Sequence, residues 1–216
     1  MLFLRALPYL ISGQLHILDG EYFISLLLNS RICWIRGILG GGKTSLAFIL
    51  TAWLLKNAGY KYVASNIQNV FPKPKKSNGV FDAVAIFDEG GAFMDSRDWQ
   101  SNPRQLYIGL RKMRSIVLLP SKNPPDKRLQ ELIVEPTRHI GKRIWQYYWH
   151  YELGSVVRSG TFSVVNPQKI FSYYATAPLA LDDAGMLELF DISIRKANAI
   201  AKQWIAYEDD TEGVEE

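Results

Sequence analysis

Apolar and polar positions alternate along this chain in blocks that change period several times. From Lys43 to Asn57 the run KTSLAFILTAWLLKN is apolar almost all round, which predicts a helix buried against a sheet. Gly59 supplies its stop. Ahead of it, EYFISLLLNS over 21–30 predicts a short helix, and RICWIR over 31–36 a short buried strand that ends in glycines. After it, YKYVASNI over 60–67 predicts a second strand. VFPKPKKSNG reads as a Pro-, Lys- and Gly-rich loop, and VFDAVAIFDEGG over 80–91 as a third strand ending in two acids. Residues 103–113 read as helical, and SIVLLPS over 115–121 as a fourth strand stopped by Pro124 and Pro125. DKRLQELIVE reads as a short helix or a turn.

The period then becomes two. KRIWQYYWHYEL over 142–153 and VVRSGTFSVV over 156–165 predict a β-hairpin turning at Gly154-Ser155. Residues 182–206 predict one or two closing helices. Strands alternating with helices imply parallel βαβ units. The expected fold is α/β: a mainly parallel sheet with helices on both faces, plus a C-terminal β-hairpin appendage. One domain over 1–207 is expected, with 1–30 as an apolar N-terminal extension, 142–165 as the hairpin, and 208–216 as an acidic, disordered tail.

Composition narrows the class. Of the 216 residues, 48% are hydrophobic and 21% charged, enough to bury a core. The net charge of +4 hides an asymmetry, because 208–216 hold six acids and no base. Without them 25 bases face 15 acids, a balance of +10 that favours polyanions: nucleic acid or an acidic membrane face. The one cysteine, Cys33, can form no internal disulfide and reads as a small buried residue, so the cytoplasm is the expected compartment. The apolar N-terminus is broken by Arg5, Pro8, Gly13, Gln14, His16 and Asp19. It therefore falls short of the ~20 apolar residues of a transmembrane helix. It is expected to pack on the domain or to contact a partner, a virion vertex or a membrane surface.

The glycines before the long helix carry the chemistry. Gly37-Ile38-Leu39-Gly40-Gly41-Gly42-Lys43-Thr44 fits G-x-x-x-x-G-K-[ST], between a strand and a helix. Backbone N–H groups turned inward can cradle phosphates where side chains would block the approach. The helix adds its positive N-terminal end. Gly37, Gly40, Gly41, Gly42, Lys43, Thr44 and Ser45 are the candidate nucleotide-binding residues. Lys43 would reach the β- and γ-phosphates, and Thr44 would ligate Mg²⁺. The third strand carries Asp88 to its end, where a carboxylate can hold Mg²⁺, and Glu89 beside it can activate water. About 44 residues lie between Lys43 and Asp88, with one strand inserted. That spacing is typical of the RecA-like P-loop ATPases that place a catalytic glutamate beside the metal ligand. His16, His139 and His150 have no metal-ligand spacing.

The glycine loop, VASNI, IFDEGGAFMDSR and SIVLLPSKNPPDKRLQEL together resemble the FtsK/HerA superfamily of nucleic-acid-pumping ATPases over roughly 30–140. Within it they are most similar to Zot-like phage-assembly proteins and viral genome-packaging ATPases. The resemblance implies ATP and Mg²⁺ as ligands and a homo-oligomeric ring, usually a hexamer, that drives DNA through its centre. It also implies a γ-phosphate sensor at the end of the fourth strand, where Ser121, Lys122 and Asn123 stand in place of the usual glutamine or asparagine. An arginine finger from a neighbouring subunit would come from Arg97, Arg104, Arg111, Arg114 or Arg128, with Arg111 and Arg114 on one helix face.

In the hairpin, Lys142, Arg143 and Arg158 mix with Trp145, Tyr147, Tyr148, Trp149 and Tyr151. The mixture suits either a grip on single-stranded nucleic acid or a face packed on the core or a subunit. The leading expectation is an ATP-driven DNA motor for genome packaging or phage assembly. The alternative is a nucleotide-switched scaffold or membrane adaptor with slow hydrolysis. A small-molecule kinase would share the loop but usually carries a lid of clustered arginines, where this hairpin is aromatic.

Overall fold

The strand that leads into the glycine loop lies inside the sheet, with a parallel neighbour on each side. A computed structural model describes residues 2–67, 82–89 and 114–170. Its elements are α1 (Leu2–Ser12), β1 (His16–Leu18), α2 (Glu21–Ser30), β2 (Ile32–Arg36), α3 (Lys43–Asn57), β3 (Tyr62–Ser65) and β4 (Ala83–Ile86). They continue with β5 (Ile116–Ser121), β6 (Leu132–Ile140), β7 (Ile144–Leu153) and β8 (Val156–Val165). The strands form one mixed sheet in the order β1-β8-β7-β6-β2-β5-β4-β3. Strands β6, β2, β5, β4 and β3 run parallel; β7, β8 and β1 add antiparallel pairs at one side. The chain is thus an α/β protein built on a mostly parallel mixed sheet.

The buried strands show why. ICWI, AVAI and IVLLPS are apolar without alternation, as strands covered on both faces must be. Cys33 and Ile35, Val84 and Ile86, and Ile116 and Leu118 face one side. There they meet Phe23 and Leu27 of α2 and Leu46, Phe48 and Leu50 of α3. Each such side chain contributes roughly 1.5–3 kcal/mol by leaving water. The Thr51 hydroxyl, sunk in this part of α3, donates to Ala47 O at 2.7 Å. Ile32, Trp34, Ala85, Val117 and Leu119 point the other way and are buried too. On that second face, at the base of β7 and β8, α1 packs Ala6 against Ile144 and Val165.

Three expectations change here. DKRLQELIVE is only briefly helical, at Lys127–Leu129, and then becomes the start of β6. Pro136 disguises that strand in the sequence. It is tolerated because the β2–β6 pairing has ended at Ile35 and Val134, and because a bulge lies between Pro136 and Arg138. The hairpin does not stand off as an appendage, since β7 pairs with β6 along its length and continues the sheet. Nor is the N-terminal region only an extension: β1 caps the sheet edge against β8, and α2 supplies core residues. The loop over 70–79, the helices over 103–113 and 182–206, and the tail over 208–216 lie outside the described residues.

Candidate functional site

Parallel strands bring their carboxyl ends to one edge of the sheet, and the sequence motifs converge there. Directly after β2 the chain turns through Gly37–Gly42 into α3. Gly40 and Gly42 have φ of 74° and 84°, a left-handed backbone that side chains resist. Gly42 is the N-cap of α3 and offers no side chain, so the first N–H groups of the helix are not capped by one. The loop is closed by Gly41 N–H donating to Ile38 O at 3.1 Å. Lys43 is buried, and its ammonium donates to the same carbonyl at 3.2 Å. A cation held within a ring of glycines is suited to a polyphosphate anion.

Strand β5 separates β2 from β4, so the residues after β4 stand one strand away from the loop. The Thr44 hydroxyl nevertheless reaches Asp88, donating to Oδ1 at 3.0 Å. Glu89 follows, with its carboxylate 4.0 Å from the Lys43 ammonium. Its φ of 54° is left-handed, and its N–H donates to Pro120 O of β5 at 2.8 Å. That bond holds a strained residue in place, at a cost of order 1–3 kcal/mol. Asp88 is held from the other side by Asn66, the residue after β3. Asp88 N–H donates to Asn66 Oδ1 at 2.7 Å, and Asn66 Nδ2 donates to Asp88 O at 3.0 Å. Sequence reasoning passed over Asn66, although its place at the end of a parallel strand was the available signal.

Burial raises the Asp88 pKa from its ordinary value. The Thr44 hydrogen bond opposes the shift, the Glu89 charge adds to it, and the Lys43 charge again opposes. An acid disfavoured in its charged form gains from a cation. The donor set fits Mg²⁺ in kind: a hydroxyl and a carboxylate, both hard oxygens, held side by side.

The side of the loop away from Asp88 is walled by β6 and β7. A Cβ built on Gly37 would lie 3.3 Å from Pro136, and one on Gly42 would lie 3.1 Å from the Trp145 ring. Trp145 stacks on His139 with centroids 4.7 Å apart and planes 16° apart. Ser45 is buried in the first turn of α3.

The other candidates fare differently. Ser121 ends β5 between the loop and Asp88, but its hydroxyl donates to Asn123 O at 2.7 Å, within its own turn. Lys122 and Asn123 are exposed beyond it. Arg114 does not lie on a described helix. It has a φ of 53° just before β5, so it sits at the amino-terminal edge of the sheet, opposite the loop. Arg128 pairs with its neighbour Asp126 at 3.5 Å. Arg97, Arg104 and Arg111 lie outside the described residues. In the hairpin, Tyr147, Trp149 and Tyr151 face the core with Phe23 and Phe162, so packing rather than nucleic-acid stacking explains them. An open groove lined by Leu15, Ile17, Ile49 and Trp53 runs along the far half of α3, away from this chemistry.

No protein-family model and no curated protein matches the chain. Among solved structures, it is similar to the crystal structure of an S-adenosylmethionine-dependent methyltransferase from Clostridium acetobutylicum. The identity is 10% over 89% of this chain and 86% of that one, with a TM-score of 0.20. A likeness that weak carries no argument about fold or chemistry. The expected membership of the FtsK/HerA superfamily and its Zot-like branch is corrected accordingly: no family model and no curated protein supports it. What stands is local, a glycine loop and two acids at one edge of an α/β sheet.

Proposed function

We propose that this chain binds a Mg²⁺–nucleoside triphosphate, ATP in the simplest case, at Gly37–Thr44 and hydrolyses it. The observation that carries this reading is the 3.0 Å hydrogen bond from Thr44 to Asp88, made across an intervening strand, with Lys43 and Glu89 beside it. Thr44 and Asp88 would hold the metal, and Lys43 with the N–H groups of the glycine loop would hold the phosphates. Mg²⁺, when bound, supplies charge neutralisation on the phosphates. Glu89 is exposed enough to take a proton from water. Ser121 or Asn123 would have to give up their shared turn to sense the terminal phosphate.

The work proposed for the hydrolysis is movement of DNA, supported by the +10 balance over residues 1–207. An arginine finger would then come from a neighbouring copy, since Arg114 stands at the opposite edge of the sheet from its own loop and Arg128 is paired with Asp126. The test is phosphate release from Mg-ATP, with and without duplex DNA, by the wild type and by Glu89→Gln. Release that DNA accelerates several-fold, and that Glu89→Gln removes, supports the motor. Release indifferent to DNA restricts the proposal to hydrolysis.

A second reading, a nucleotide-switched membrane adaptor, is favoured by α1. Phe3, Leu4, Leu7 and Ile11 of this helix are exposed, while Asn166 fixes it in place through Tyr9 O and Gln14 O. No helix among the described residues is long and apolar enough to cross a membrane, so α1 would lie on a surface. Flotation with anionic liposomes that Leu4→Ser/Ile11→Ser abolishes would support it.

A further inference from the structure

The geometry points to a base-stacking platform, formed by Trp145 and His139, for the nucleoside end of the triphosphate proposed above. The site has two ends. At one, Asp88 and Glu89 stand on the β4 side of the loop, with Thr44 and Lys43 turned toward them. Metal and terminal phosphate belong there. A bound nucleotide must carry its ribose and base out of the opposite side, and the sheet order puts β6 and β7 on that side.

There, β6 outlasts β2. Pairing stops at Ile35 and Val134, and the rest of β6 runs on beside the loop without a β2 partner. Its free stretch bears Pro136 against Gly37 and His139 opposite Trp145 of β7. The two rings lie almost parallel, 4.7 Å apart, and the Trp145 ring passes within 3.1 Å of where a Cβ on Gly42 would be. His139 is exposed, and Trp145 is half-buried against the core. The outcome is an aromatic shelf, wet on one side and braced on the other, directly beside the N-terminus of α3. Stacking on such a shelf accepts any base but favours the larger purines. This inference rests on the triphosphate reading of the loop.

The experiment compares ligands that share phosphates but differ in the base. Dissociation constants for ATP, GTP, CTP and inorganic tripolyphosphate, each with Mg²⁺, are measured by calorimetry on the full chain. The wild type is expected to bind ATP and GTP about 10-fold more tightly than tripolyphosphate, with CTP between. Trp145→Ala is expected to erase most of that gap and leave tripolyphosphate within about twofold, whereas Trp145→Phe keeps it. His139→Ala, an exposed change with no risk to the core, is expected to narrow the gap several-fold. Equal wild-type affinity for ATP and tripolyphosphate overturns the platform while leaving the loop reading intact. So does an equal loss of both ligands in Trp145→Ala, because Trp145 would then only shape the loop. Binding of neither ligand by the wild type overturns both readings.

Discussion

Thr44 and Asp88 stand 44 positions apart in the chain and 3.0 Å apart in space. The hydroxyl comes from the first turn of α3 and the carboxylate from just beyond β4, with β5 between their parent strands. If the pair is a metal site, Thr44→Ala removes a ligand while sparing the fold. Mg²⁺-dependent ATP affinity should fall about 10-fold or more, and affinity measured in EDTA should not change. Titration with and without Mg²⁺ checks this.

Asp88 also predicts a pH response. Its folded pKa is raised, so the folded state binds more protons than the unfolded state between the unfolded and the folded value. Stability from this group is therefore greatest below the unfolded pKa and declines as pH rises through the folded one. Asp88→Asn should flatten that decline and, near neutral pH without metal, leave Tm unchanged or higher by about 1–3 °C. It should also abolish stabilisation by Mg-ATP. Thermal melts from pH 4 to pH 8 decide it; a large loss of Tm at neutral pH would show that the carboxylate is needed for folding.

Glu89 sets function against stability. Its left-handed φ suits glycine, and its side chain is exposed. Glu89→Gly should raise Tm by about 2–4 °C while lowering the hydrolysis rate at least 100-fold. Glu89→Gln should show the second effect without the first.

Asn66 is a positioning residue, acting on the Asp88 backbone and not on ligand. Asn66→Ala leaves the Asp88 N–H without its acceptor, at a cost of about 1–3 kcal/mol. The Mg²⁺ concentration for half-maximal ATP binding should rise several-fold, with tripolyphosphate binding in EDTA unaffected. Asn66→Asp keeps the acceptor but loses the donor to Asp88 O, and should recover only part of the affinity.

Much of this was legible in the sequence because local chemistry demanded it. The glycines before Lys43-Thr44 and the apolar strand ending in Asp88-Glu89 each stand at a predicted carboxyl end of a parallel strand, and the structure brings both to one sheet edge. The parallel strands were legible because ICWI, AVAI and IVLLPS lack alternation. What stayed hidden depends on distant pairing. Strand β6 carries a proline and a bulge that only its neighbours make tolerable. The hairpin aromatics suit either a nucleic-acid grip or a packed face in the sequence, and Phe162 stacked on Tyr147 settles Tyr147 as packing. Trp145 meets Gly42 across about a hundred residues, a contact that no local pattern announces. The family resemblance failed for a related reason: short motifs around a phosphate loop are shared widely, and no family model extends them to this chain.

Calorimetric titration of Mg-ATP into the wild type and into Lys43→Ala decides whether the glycine loop holds a triphosphate. The wild type is expected to show one site per chain, with a Kd at or below the micromolar range. A loss of at least 100-fold is expected in Lys43→Ala, whose Tm should stay within a few degrees of the wild type. Absence of Mg-ATP binding by the folded wild type, or equal binding by the two proteins, would contradict the triphosphate reading of the loop.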